Sequence, residues 1–148
     1  MQQNNMTNLK MMDGHGRMVY YVLKEFAKHN NLDKLHIELY DIDDPVNEWH
    51  RLLFPQKYIK AIYENILDCQ PDQTTCVYLN FCGIEKQESK IKDFLNVYYN
   101  QCIISFSTRS SIPNGSIIKQ IKITPKHLNL VQVDNSRADF LTFLLKKN

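Results

Sequence analysis

A chain of 148 residues with 43% apolar and 23% charged residues holds enough apolar material to bury a core, which excludes the intrinsically disordered class. No apolar run approaches the roughly 18–20 residues of a membrane-spanning helix, and the polar start Met1-Gln2-Gln3-Asn4-Asn5 lacks the regions of a secretory signal. A formal net charge of +2 is too small to support a nucleic-acid partner by electrostatics alone.

Residues 1–7 are polar and read as a loose arm. Leu9 to Met12 is a short buried strand that ends in the acid and glycine pair Asp13-Gly14-His15-Gly16. Val19, Val22, Leu23 and Phe26 then recur at helical spacing, predicting a helix from Arg17 to Lys28 with His29-Asn30-Asn31 closing it. Leu35 to Tyr40 alternates as a strand ending at Asp41. Asp44-Pro45 starts a second helix, with Val46, Trp49 and Leu53 on its core face, until Pro55 ends it. Lys57 to Leu67 fits a helix by the spacing of Tyr58, Ile59, Ile62, Tyr63 and Ile66, while Asn65-Ile66-Leu67 also fits a short strand.

Thr75 to Phe81 is apolar on both faces, as a central parallel strand should be. Ile91, Phe94, Leu95 and Tyr98 mark a helix over about Glu85 to Asn100, and Cys102 to Phe106 is another buried strand. Ser110 to Gly115 is turn material. Ile117–Ile123, Leu128–Val133 and Asp139–Lys146 then read as strands, with Asp134-Asn135-Ser136 as a hairpin turn. No linker, repeat or low-complexity block interrupts the chain, so one domain over 1–148 is expected. The alternation predicts an α/β, Rossmann-like, mainly parallel sheet with helices on both faces and a C-terminal antiparallel hairpin.

Several candidate chemistries find no support in the spacing. Cys69, Cys76, Cys82 and Cys102 form no CxxC pair, and the apolar settings of three of them suit reduced thiols in an intracellular, cytoplasmic compartment. The five histidines make no metal-binding spacing, and no nucleophile elbow or Walker loop is present. The lysines of the tail read as solvated strand faces. Richness in Asn, Lys, Ile and Tyr suits an AT-rich coding genome, such as a viral one.

Three of the four glycines (Gly14, Gly16, Gly83) fall at the carboxyl ends of predicted strands, where an open α/β sheet binds ligands. Asp41 follows Gly16 by 25 residues, near the offset of about 20 for an acid that holds ribose hydroxyls. With the loop Asp13-Gly14-His15-Gly16, the strand end Asn80-Phe81 and the terminal hairpin, the chain resembles the class I S-adenosylmethionine-dependent methyltransferases. The first loop is one residue shorter than that family's usual pattern, and the two prolines that amino-group methyltransferases carry after the strand-end Asp or Asn are missing, with Cys82-Gly83 following Asn80-Phe81.

The resemblance implies S-adenosylmethionine as cofactor, held by Asp13, Gly14 and Gly16 of the loop. Asp41 (or Asp43) would take the ribose and Asp68 the adenine amine. It gives Asn80 and Phe81 the catalytic positions, gripping and stacking on the acceptor. Two functions stay open. One is a small methyltransferase acting on an unknown acceptor. The other is a catalytically inactive binding or stimulatory subunit that works with a protein partner or a second copy of itself.

Overall fold

The computed structural model describes residues 6–70, 76–81, 88–97, 101–107, 128–137 and 140–147. The chain divides into two compact units, Met1–Cys76 and Val77–Asn148. The fold is α/β and Rossmann-like.

In the first unit, β1 (Thr7–Met12), α1 (Arg17–Lys28), β2 (Leu35–Asp41), α2 (Asp44–Leu53) and β3 (Ile59–Tyr63) alternate, and the strands pair in the order β3-β2-β1. Both pairings are parallel. Thr7 stands beside Leu35 and Met11 beside Leu39, while Ile37 stands beside Ile59. A parallel pair needs a crossover long enough for a helix, which α1 and α2 supply. Met11, Val19, Leu35, Ile37, Leu39, Ile59 and Ile66 are almost wholly removed from water and form the core of this unit.

Two predicted elements change here. The segment after Pro55 is not a helix: Ile59–Tyr63 is strand β3, and Ile66–Asp68 is a single 3-10 turn capped by the Asn65 side chain, which accepts from the Leu67 amide at 3.0 Å. Ile59 and its β-branched and aromatic neighbours suit a strand beside β2, where Ile59 is removed from water. Helix α2 has its predicted bounds, but its core face differs. Trp49 and Leu53 are 45% and 51% exposed, and the buried side is formed by Asn47 (1%), His50 (0%) and the capping residue Phe54 (8%). Its cap is Asp43, whose Oδ1 accepts from the Val46 amide at 3.1 Å, with Asp44 inside the first turn.

The second unit holds β4 (Cys76–Phe81) from Val77 onward, α3 (Glu88–Val97), β5 (Gln101–Ser107), β6 (Leu128–Arg137) and β7 (Phe140–Lys147), with strands in the order β4-β5-β7-β6. Val77 and Leu79 of β4 and Ile91, Phe94 and Leu95 of α3 are buried. β7 runs antiparallel to both β5 and β6. The C-terminal hairpin is therefore present, but Asp134-Asn135-Ser136 is not its turn. β6 continues to Arg137, which pairs with Phe140, and a register shift between Asp134 and Arg137 absorbs the polar residues. Such an irregularity lets a strand carry poor β-formers without ending. The predicted strand 117–123 and turn 110–115 lie outside the described residues.

Candidate functional site around the first loop

The loop between β1 and α1 is fixed by its own side chains. Asp13 is 3% exposed, and its Oδ2 accepts from the amides of Met18 at 2.8 Å and Val19 at 3.1 Å. The N-cap of α1 is Gly16, which has no side chain to offer, so Asp13 reaches forward and satisfies two first-turn donors in its place. The loop also closes on itself through the Gly16 amide and the Asp13 carbonyl at 3.0 Å.

The two glycines serve different ends. Gly16 has φ +70°, and a Cβ built on it would lie 2.6 Å from Cζ of Phe54. Both backbone and packing therefore demand glycine there, and the partner that fills the space is a protein ring. Gly14 has no such strain. A Cβ on it would meet only Oδ2 of Asp41, at 3.9 Å. The first loop and the end of β2 therefore lie close to one another. Asp41 is half-buried, with Oδ1 accepting from the Asp43 amide at 2.8 Å and Oδ2 turned toward Gly14.

Helix α2 holds this loop from the side through a stripe at helical spacing. His50 Nε2 lies 3.2 Å from the Gly14 carbonyl. A carbonyl only accepts, so Nε2 carries the proton in this contact. The Phe54 ring covers Gly16, and its centroid is 6.1 Å from that of His50. Asn47 sits one turn earlier, with both amide atoms buried and unpartnered, as is Nδ1 of His50. Sequence reasoning missed all three, because it assigned the core face of α2 to its apolar residues. The legible signal was the i, i+3, i+7 spacing of Asn47, His50 and Phe54.

A second polar cluster lies on β1 and β2. Lys10 is 5% exposed, and its Nζ donates to Oε2 of Glu38 at 2.7 Å. The Tyr40 hydroxyl donates to the same oxygen at 2.8 Å. Burial, and then the bond to Glu38, push the Tyr40 phenol well above its ordinary range, so it remains a donor. The parallel register places Lys10 beside Glu38, which explains the pairing.

Among the other candidate residues, Asp68 is exposed at the end of the 3-10 turn. Asn80 is half-buried in β4 of the second unit, and Phe81 ends that strand. Asp13, Gly14, Gly16 and Asp41 are thus brought together within the first unit. Among the described residues, no group of three or more His, Cys, Asp and Glu side chains is placed to hold a metal ion. No described helix is long and apolar enough to cross a membrane.

No family model matches the chain, and no curated protein matches it by sequence. Its fold is nevertheless found among solved structures. The chain is similar to one in a fibrillarin/Nop5p complex, with TM-score 0.71 and 10% identity over 99% of this chain and 74% of that one. It is similar to the mitomycin 7-O-methyltransferase MmcR at TM-score 0.65 and 10% identity, over 97% of this chain and 49% of that one. An rRNA methylase from Escherichia coli gives TM-score 0.60 and 16% identity, over 96% of this chain and 57% of that one. The chain thus spans only about half the length of the latter two proteins. At these identities the likeness is one of fold, and the fold is methyltransferase-like.

Proposed function

We propose that the chain binds S-adenosylmethionine at the loop Asp13–Gly16 and Asp41, and serves as a methyltransferase-like domain on that basis. The observation that supports this most is the approach of Gly14 to Oδ2 of Asp41. A ribose needs a carboxylate acceptor for its hydroxyls beside a backbone without a side chain, and this pair offers both. The remainder of the loop suits the cofactor less directly. Asp13 is engaged by the Met18 and Val19 amides, and the side of Gly16 where a Cβ would stand is filled by Phe54. These contacts give the loop one shape before any ligand arrives, which lowers the ordering cost of binding.

When bound, the cofactor supplies a methyl group already activated on a sulfonium. The protein's part is then to hold and orient. In this reading Asp41 accepts from the ribose, Gly14 keeps the approach open and Asp68 takes the adenine amine. Asn80 and Phe81 are assigned the acceptor.

A second reading shares the binding site without turnover: a non-catalytic subunit that works with a protein partner. The engagement of Asp13 and Gly16 by protein groups favours it, as does a structural neighbour that is one chain of a fibrillarin/Nop5p complex. Titration calorimetry with S-adenosylmethionine and S-adenosylhomocysteine tests both. Saturable binding that is abolished in Asp41→Ala is expected, and no heat at millimolar ligand would sink the cofactor reading. Binding without methyl transfer to any offered acceptor, unaffected by Asn80→Ala, would favour the second reading over the first.

A further inference from the structure

Helix α1 buries Val19 and sets Val22, Leu23 and Phe26 against the rest of its unit. At 100° per residue, the direction opposite that stripe is occupied by Arg17, Tyr21, Lys24 and Lys28, with Tyr20 flanking them. Tyr20 and Tyr21 are 57% and 62% exposed and stand edge to face, their ring centroids 6.0 Å apart. The three cations are exposed, and among the described residues none lies within ion-pair distance of a carboxylate. The one acid of the helix, Glu25, is engaged at its edge by His29 at 3.2 Å. Beside this face runs an open groove of about 650 Å³. Its walls include Leu9 and Phe26, and Tyr21, Lys24, Lys28 and the acid Glu25 also line it, so its cations outnumber its one carboxylate.

We propose that this face of α1, with the groove beside Tyr21, binds single-stranded nucleic acid. The chemistry fits on three counts. Exposed tyrosine rings offer stacking faces to unpaired bases, cations without carboxylate partners offer contacts to phosphates, and a groove with apolar wall residues admits a planar base edge-on. An acidic peptide would use the cations but has no need of two exposed rings. A duplex would present its phosphates but keep its bases stacked away from Tyr21. The helix is about 18 Å long, which matches a run of only a few nucleotides. The small net charge of the chain is no obstacle, because the contact is made by a local cluster. The inference is independent of cofactor binding: it concerns α1 and its groove, not Asp41.

The test is fluorescence anisotropy of the full chain, without cofactor, against short labelled oligouridylate and oligothymidylate. Saturable binding at low salt is expected. Three phosphate contacts would give a log–log salt slope of about −2. Tyr21→Ala should weaken binding by about tenfold, with Tyr21→Phe close to wild type. Lys24→Gln combined with Lys28→Gln should flatten the slope to about −0.7. The two oligonucleotides separate RNA from DNA, and binding of either supports the proposal. It is overturned if neither binds saturably, if Tyr21→Ala binds as wild type does, or if oligoglutamate or duplex competes as well as the single strand. All these positions are exposed, and circular dichroism of each variant verifies that it folds. Calorimetry with S-adenosylmethionine on the same variants should be unchanged, so loss at α1 and loss at the Asp41 site are read separately.

Discussion

Gly14 and Gly16 stand two residues apart in one loop, yet a methyl group added to each would meet different surroundings. At Gly16 it would strike the Phe54 ring and hold alanine at a positive φ, so Gly16→Ala should destabilise the chain by about 2–4 kcal/mol, measured by urea denaturation. Phe54→Leu in the same chain should recover part of that loss, since it removes the struck atoms but not the backbone strain. At Gly14 the methyl would rest 3.9 Å from Asp41 and strain nothing, so Gly14→Ala should leave stability unchanged and abolish S-adenosylmethionine binding. Equal binding by Gly14→Ala and wild type would remove the reason for placing ribose there. Sequence reading gave both glycines one role in a ligand loop, and nothing local to the loop could reveal that Gly16 is demanded by a phenylalanine 38 residues away. Cys76 provides a pH test at the same scale. Burial pushes its thiol up to about 11 from an ordinary 9.0. The folded chain therefore holds this proton more tightly than the unfolded chain does. The corresponding stability is fully present below pH 9 and is lost as pH rises toward 11. Cys76→Val should flatten that part of the stability profile.

Elements were legible wherever a local signal fixed their ends. Pro45 and Pro55 bound α2 and the alternating residues of β2 deliver Asp41 to a strand end, as the sequence predicts, although the cap is Asp43 rather than the expected Asp44. The face of α2 was not legible. Hydrophobic periodicity assigns Trp49 and Leu53 inward, yet the loop it packs on asks for a hydrogen-bond donor at Gly14 and a flat ring at Gly16, which His50 and Phe54 provide. If α2 clamps the loop in this way, His50→Leu should speed hydrogen exchange at the amides of residues 14–17. Its effect on global stability should stay within about 1–2 kcal/mol, because the lost bond to Gly14 is offset by removal of the buried, unpartnered Nδ1. Unchanged exchange would show that the loop holds itself through Asp13. The β1–β2 pair makes a related case. A lysine in the middle of Leu9-Lys10-Met11 breaks the apolar run, and only the register beside Glu38 explains why it is buried. Lys10→Met strips a largely buried carboxylate of its ammonium and should cost about 2–4 kcal/mol. Lys10→Met with Glu38→Leu should recover most of it.

At the scale of the whole molecule, net charge and chain order reveal class better than chemistry. The α/β class follows from strand–helix alternation and is shared with proteins of 10–16% identity, so it depends on pattern and not on particular side chains. Charge is uneven: residues 1–76 hold eight Lys and Arg against eleven Asp and Glu, and residues 77–148 hold ten against five. A total of +2 conceals both this division and the cationic stripe on α1. The division into two compact units also sets how ligand binding should appear in unfolding. Trp49, the chain's single tryptophan, lies on α2 in the unit that carries the loop and Asp41, so its fluorescence reports that unit, whereas far-ultraviolet circular dichroism reports the whole chain. A ligand at roughly a hundred times its Kd stabilises the state it binds by about 2.7 kcal/mol, which for a chain of this size raises a melting transition by roughly 5–10 °C. S-adenosylhomocysteine should therefore raise the transition followed by Trp49 by that amount, and Asp41→Ala should remove the shift while leaving the unliganded transition in place. If dichroism resolves a second transition, only the one that coincides with Trp49 should move. A shift confined to the other transition would locate the ligand outside the unit that holds Asp41.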